Sequence, residues 1–198
     1  MKGFQHSKES IEQEKMLHLL AELEENPTAS QRSLASSLGI AFGLVNAYIK
    51  RGVKKGWLRM SAVPAKRYAY FLTPQGLAEK AKMTTGYLSN SLHFFRTAQA
   101  ECLALFEECE KNGWDKVAIA GSGDLAVIAE IVVAKTSVQT VVMNPENDFS
   151  EFAAVLVTDI QDPQGSFEKV AANFPSDRIL TPGLLYISRD TKSEGVAA

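Results

Sequence analysis

Acidic residues are missing between Glu25 and Glu79, while eight basic ones fall inside that window: Arg32, Lys50, Arg51, Lys54, Lys55, Arg59, Lys66 and Arg67. A solvated protein surface mixes signs, so a stretch of one sign points to a polyanionic partner. The chain of 198 residues has a net charge of only −2, and the imbalance is internal. Residues 1–72 hold 11 Lys and Arg against 6 Asp and Glu, and residues 73–198 hold 10 against 17. Other absences narrow the class further. No apolar run approaches the roughly 20 residues that cross a bilayer. The first residues, MKGFQHSKESIEQEK, lack the apolar core of a signal peptide, so a cytoplasmic protein is expected. There are two cysteines, Cys102 and Cys109, seven residues apart in what reads as one helix. Two helical turns separate them by about 10 Å, too far for a disulfide. Reduced core thiols are expected, with redox sensing or an intersubunit bridge as alternatives. The three histidines, His6, His18 and His93, suggest no metal site, and none lies beyond residue 93 to act as acid or base.

The basic window has a recognisable layout. Ile11, Met16, Leu19, Leu20 and Leu23 recur at helical spacing over residues 8–25, and Asn26-Pro27 stops the pattern. Ser30 offers an N-cap for a helix over 31–38 with Leu34 and Leu38 on its apolar face. Gly39 supplies a tight turn, and Ile40 plugs the core beneath it. A third helix starts near Ala41, runs through Val45, Ile49 and Val53, and ends at Gly56. Two short strands, WLRMSAV and RYAYFLT, follow, joined through Pro64-Ala65-Lys66. Three helices with a glycine turn and then a basic hairpin predict a winged helix-turn-helix over residues 1–73. Its DNA face would comprise Ser30, Gln31 and Arg32 at the start of the second helix. Phe42, Gly43, Asn46 and Ala47 would form the reading face of the third. Lys50, Arg51, Lys54 and Lys55 would meet phosphates, with Lys66 and Arg67 on the wing tip. Asn46 can pair with adenine, and Phe42 or Ala47 can meet a thymine methyl. With so few base-reading groups, part of the specificity would come from DNA shape. A winged helix used only for protein contacts is the alternative.

SQRSLASSLGIAFGLVNAYIKRGVKKGWL, followed by RYAYFLTPQGLAEKA, resembles MarR-type winged-helix regulators, and most of all a group associated with exopolysaccharide gene clusters. The matching pieces are Ser30-Gln31-Arg32, Leu38-Gly39-Ile40, Gly43, Val45-Asn46, Lys55-Gly56 and Leu72-Thr73-Pro74. The resemblance implies a dimeric transcriptional regulator of surface-polysaccharide genes, with a nucleotide-sugar as a natural effector. Three positions depart from the pattern. Ala41 stands where a capping Ser is common, Leu44 where a Lys is common, and Gly52 lies inside the third helix at a cost of about 1 kcal/mol relative to Ala.

Pro74 suits the first turn of a long connecting helix over 74–112. From Leu88 its apolar positions are Leu92, Phe95, Cys102, Phe106 and Cys109, with Gln99 at the gap. Steps of four and three describe a coiled-coil seam, so a dimer helix is expected, although such a stripe can equally pack on its own domain.

Residues 113–198 alternate strand and helix patterns. Strands are expected at 116–120, 138–143, 153–157 and 184–188, with helices at 125–134 and 166–174. A small parallel α/β sheet follows. Between the first strand and helix, Gly121-Ser122-Gly123-Asp124-Leu125-Ala126 fits G-x-G-x-x-A. The segment resembles Rossmann-type nucleotide-binding domains over one β-α-β unit. The candidate effector site is Gly121, Ser122, Gly123, Asp124, Leu125 and Asn144; the alternative is a tight turn in a ligand-free domain. Asn144 stands where the fingerprint wants an acid, Glu146 is a poor substitute, and Asp124 places negative charge beside the phosphate site. Ser122, Asp159 and Tyr186 are polar candidates, yet their spacing assembles no nucleophile and base. A regulator is therefore expected, with no required cofactor and a nucleotide or nucleotide-sugar effector. A small nucleotide-binding enzyme with an accessory winged helix is the second hypothesis, and a protein-contact scaffold the third.

Overall fold

The computed structural model describes residues 8–64 and 67–189; the side chains of residues 8–10 and 67 lie outside that description. The described residues fall into two compact units, one ending at Ser91 and the other starting at Leu92. The expected fold class, a winged helix followed by a long helix and a Rossmann-like α/β sheet, is the one observed.

In the first unit, α1 (Lys8–Glu25), α2 (Gln31–Ser37) and α3 (Phe42–Lys54) precede an antiparallel hairpin of β1 (Leu58–Val63) and β2 (Arg67–Leu72). Met16, Leu19, Leu20 and Leu23 of α1 close on Leu34, Leu38, Val45, Ile49 and Trp57. Gly39 adopts φ +60 in the turn between α2 and α3, where the spacing called for a glycine. Gly52 is buried where β1 crosses α3: a Cβ there would lie 2.8 Å from Leu58 Cδ1. The helix-propensity cost expected at Gly52 is offset by this close approach of Leu58.

A single helix, α4 (Pro74–Asn112), follows the hairpin. Gly76 in its first turn leaves no room for a side chain, since a Cβ would stand 2.1 Å from the Trp57 carbonyl oxygen. The seam read along α4 is divided. Cys102, Phe106 and Cys109 are fully buried in the core of the second unit, while Leu88, Leu92 and Phe95 are exposed. The continuous three-heptad seam is thus corrected: its second half covers the sheet of its own chain. Burial raises both thiols, Cys102 to about 12 and Cys109 to about 11, with the Glu101 and Glu108 charges adding to it. They are inert core groups, and the redox alternative loses its basis.

The second unit holds β3 (Lys116–Ala120), α5 (Asp124–Val133), β4 (Gln139–Met143), β5 (Ala154–Val157), α6 (Pro163–Ala171) and β6 (Ile179–Leu180). The sheet is parallel with order β4-β3-β5-β6. Apart from the exposed Lys116, β3 and β5 are apolar, central and buried, as in a sheet covered on both faces. Two sequence expectations shift. The last strand is Ile179–Leu180 rather than 184–188, because Pro182-Gly183 breaks the extended run. Gly183–Leu185 forms a 3₁₀ turn, and Tyr186 then takes φ 51. Helix α6 begins at Pro163 rather than Ser166, because Asp162 caps it, accepting from the Gly165 N–H at 3.1 Å. Phe174, beyond its end, packs edge-on against Phe149.

Candidate functional site

Two surfaces carry the residues singled out by sequence, one on each unit. On the first, α3 buries Val45, Tyr48, Ile49 and Gly52. At about 100° per residue, Gly43, Ala47, Lys50 and Lys54 project from the opposite side as one stripe, all exposed. Asn46 is half-buried at its edge, and Phe42 and Leu44 are exposed in the first turn. Ala41 caps the helix without a side-chain hydrogen bond, so the first N–H groups of α3 lack the usual Ser partner. Small residues near the helix start and lysines toward its end form a smooth, basic ridge.

The other basic residues divide. The Arg51 Nη1 lies 3.4 Å from Glu12 Oε2 of α1, at the margin of the stripe, which partly neutralises it. Lys55 stacks over the Trp57 ring with its Nζ 5.7 Å from the centroid. Arg59 lies over Phe71 on the wing at the same distance, a pairing the sequence did not reveal because the register β1–β2 sets it. Lys66 lies outside the described residues, and Arg67 opens β2. Ser30 caps α2, accepting from the Ser33 N–H at 3.0 Å. The Gln31 amide donates to the Tyr70 hydroxyl at 3.1 Å, and Arg32 is exposed. A polar concavity of about 510 Å³ opens there, lined by Thr28, Ser30, Gln31, Ser33, Tyr68 and Tyr70. Sequence reasoning missed the two tyrosines, whose place beside α2 depends on the fold of the hairpin.

On the second unit the chain leaves β3 through α5 to β4 on one side, then returns past β3 to β5 on the other. Such a reversal opens a crevice at the carboxyl ends of the two central strands, where ligands of open α/β sheets bind. The loop Gly121–Gly123 follows β3, and Thr158–Asp162 follows β5. Main-chain bonds tie these ends together: Gly121 N–H to Met143 O at 3.0 Å and Thr158 N–H to Ala120 O at 2.9 Å. Gly121 has φ +130, and a Cβ on it would meet Asp159 N and Thr158 Oγ1 at 2.9 Å each. Gly123, at φ +149, has open space around its Cα. The first glycine therefore serves the approach of β5, and the second leaves the entrance to α5 clear.

Ser122, Gly123 and Asp124 are exposed at this crevice, while the Leu125 side chain belongs to the core. Asn144 is exposed at the end of β4 and turns back to accept from the Glu146 N–H at 3.0 Å. Glu146 pairs with Lys169 of α6 at 2.8 Å, and that bond and charge hold its carboxyl below the usual range. Asp159 is committed to its own loop, accepting from Gln161 N–H at 2.8 Å, Asp162 N–H at 3.2 Å and Ser166 Oγ at 2.7 Å. Burial pushes its pKa up, but the Ser166 hydroxyl and the Asp162 and Gln161 N–H groups together hold it below the ordinary 3.8. A carboxylate so engaged is a loop organiser. No cluster of His, Cys, Asp and Glu suited to a metal occurs among the described residues.

Comparison with known proteins bears on the first unit. Residues 13–59 match the family model of winged helix-turn-helix DNA-binding domains. No curated protein sequence matches the chain. Among solved structures it is similar to MepR, a transcription regulator of the Staphylococcus aureus multidrug efflux pump MepA (14% identity, 43% of this chain and 74% of that one, TM-score 0.36). It is also similar to the zinc-dependent MarR family transcriptional regulator AdcR (24% identity, 42% of this chain and 58% of that one, TM-score 0.34). A longer, looser likeness is to the S-adenosylmethionine-dependent methyltransferase SibL (12% identity, 89% of this chain and 77% of that one, TM-score 0.27). At TM-scores this low none of the three decides fold or function. The winged-helix assignment stands on residues 13–59 and on the geometry of α1 to β2.

Proposed function

We propose that this protein is a DNA-binding transcription regulator of MarR type that works as a dimer. Its Rossmann-like unit senses a nucleotide-type metabolite or supports assembly. The observation that carries the reading is the α3 stripe: Gly43, Ala47, Lys50 and Lys54 lie opposite the buried face, within a stretch free of Asp and Glu. Small side chains let the helix approach base edges, and the lysines neutralise phosphates and release counterions. Asn46 at the edge of the stripe supplies a base-reading amide. The exposed Leu88, Leu92 and Phe95 of α4 are the proposed dimer seam. The effector enters the crevice at Gly121–Asp124 and Asn144, and its differential affinity for two arrangements of the chain biases DNA binding. Surface-polysaccharide genes are the first targets to examine, on the strength of the sequence resemblance.

The test is selection of bound fragments from genomic DNA by the purified chain at two salt concentrations. Lys50→Ala with Lys54→Ala serves as the paired variant. Enrichment of one or a few promoters is expected, lost in the variant. The slope of log affinity against log salt should fall by about 0.9 for each phosphate contact removed. An unchanged slope removes these lysines from the interface. Absence of binding with and without a nucleotide and nucleotide-sugar panel overturns the regulator reading.

A further inference from the structure

The two edges of the parallel sheet are finished differently. At β6, the Arg189 guanidinium donates to the Ile179 carbonyl at 2.8 Å and to Thr181 Oγ1 at 3.2 Å, occupying an acceptor on that edge. Beside it, Gln164 of α6 holds Ser188 both ways, accepting from its N–H at 3.0 Å and donating to its carbonyl at 3.2 Å. Among the described residues the β4 edge has no such cover from another strand of the sheet. Nor does Gln139–Met143, QTVVM, contain the lysine, proline or inward charge that guards natural edges. No residue from Thr136 to Pro145 is charged. Val141 and Val142, on opposite faces of the strand, are 47% and 37% exposed.

The main-chain pattern of β4 is symmetric about Val141. The Gln139 N–H donates to Asp115 O, and Met143 O accepts from the Gly121 N–H, so residues 139, 141 and 143 turn their polar groups toward β3. Thr140 and Val142 therefore turn theirs outward, one on each side of Val141. We propose that β4 is a self-pairing edge whose occupant is β4 of a second copy, antiparallel, with the twofold axis through Val141.

In that register Thr140 of one copy exchanges N–H···O=C bonds both ways with Val142 of the other, and the twofold repeats the exchange. Gln139 faces Met143, and Val141 faces Val141 in the close, non-hydrogen-bonded position. No like charges meet, because the segment carries none. Pairing of β4 with β4 about a twofold is isologous and closes at two copies, and the Arg189 bond to Ile179 O disfavours the head-to-tail β4–β6 pairing that would propagate.

Trapping by a disulfide reads the contact directly in the full chain. Opposed residues at the non-hydrogen-bonded position have Cα atoms about 4.5 Å apart, within disulfide reach. Cys102 and Cys109 are buried and do not compete. Under mild oxidation Val141→Cys is expected to run mostly as a covalent dimer on a denaturing, non-reducing gel. Val127→Cys, similarly exposed on α5, is expected to remain single chains. Val141→Cys that stays uncrosslinked overturns the proposal, including the case in which another protein supplies the strand. Equal crosslinking of Val127→Cys overturns it too. The near-isosteric cysteine leaves the fold intact, and loss of DNA binding would not affect the readout.

Discussion

Gly121 and Gly123 stand two residues apart in one loop, and the motif treats them as a pair, yet their surroundings differ. Both adopt backbone angles that strain any side chain by about 1–3 kcal/mol. Only at Gly121 would a methyl group also strike the Asp159 amide and the Thr158 hydroxyl. Overpacking of that kind adds about 1–3 kcal/mol. Gly121→Ala is therefore expected to destabilise the protein more than Gly123→Ala by about that increment, measured by denaturant unfolding. Equal losses would show that β5 yields freely at this point. The motif was legible in the sequence, but the reason for its first glycine was not. It depends on Thr158 and Asp159, 37 and 38 residues later in the chain, which the strand order brings alongside. Asp159 illustrates the same limit. As a sequence letter it is a candidate acid, whereas its partners Gln161, Asp162 and Ser166 make it a loop brace.

Among the elements, α4 has two roles along one apolar stripe. Heptad spacing identifies the stripe and says nothing about which stretch meets its own sheet. Phe106 is fully buried with Cys102 and Cys109, whereas Leu88 and Leu92 are exposed. Phe106→Ala is expected to cost about 3–5 kcal/mol of stability. Leu88→Ser with Leu92→Ser should leave the unfolding midpoint at high dilution nearly unchanged and weaken self-association, read by sedimentation. The reverse pattern would put the seam at the wrong end of the helix. Helix and strand positions in the winged helix were almost fully readable, because Ser30, Gly39 and Gly56 punctuate them locally. The last strand was not. The apolar run at 184–188 looks extended, but Pro182-Gly183 and the positive φ of Tyr186 turn the chain, and two residues at 179–180 pair instead.

For the whole molecule, the second unit depends on ionised carboxylates acting as caps. Glu110, near the end of α4, accepts from the Ser137 N–H at 2.6 Å and from its hydroxyl at 2.7 Å, fixing the approach to β4. Those two bonds, the N–H first, hold its carboxyl below the ordinary 4.5. Asp148 is held below 3.8 in the same way by the Ser150 N–H and hydroxyl. Asp159 braces the loop after β5 as described. A carboxylate whose pKa is lower in the folded chain than in the unfolded one takes up protons on unfolding, so its stabilisation is complete at neutral pH. It is lost as pH falls from the unfolded values near 4.5 and 3.8 down through the folded ones. Stability of this unit is thus expected to decline on acidification from about pH 5 downward. The two tryptophans separate the units: Trp57 lies in the winged-helix core and Trp114 packs on the core of the second. With Trp57→Phe as background, Trp114 fluorescence followed in denaturant at a series of pH values should report the decline. Glu110→Gln retains an acceptor for Ser137 and removes the charge, so it should start less stable at pH 7 and lose less on acidification. A Trp114 transition with the same pH slope in Glu110→Gln would mean that the Ser137 contact contributes nothing to the acid sensitivity, and that the other carboxylates carry all of it.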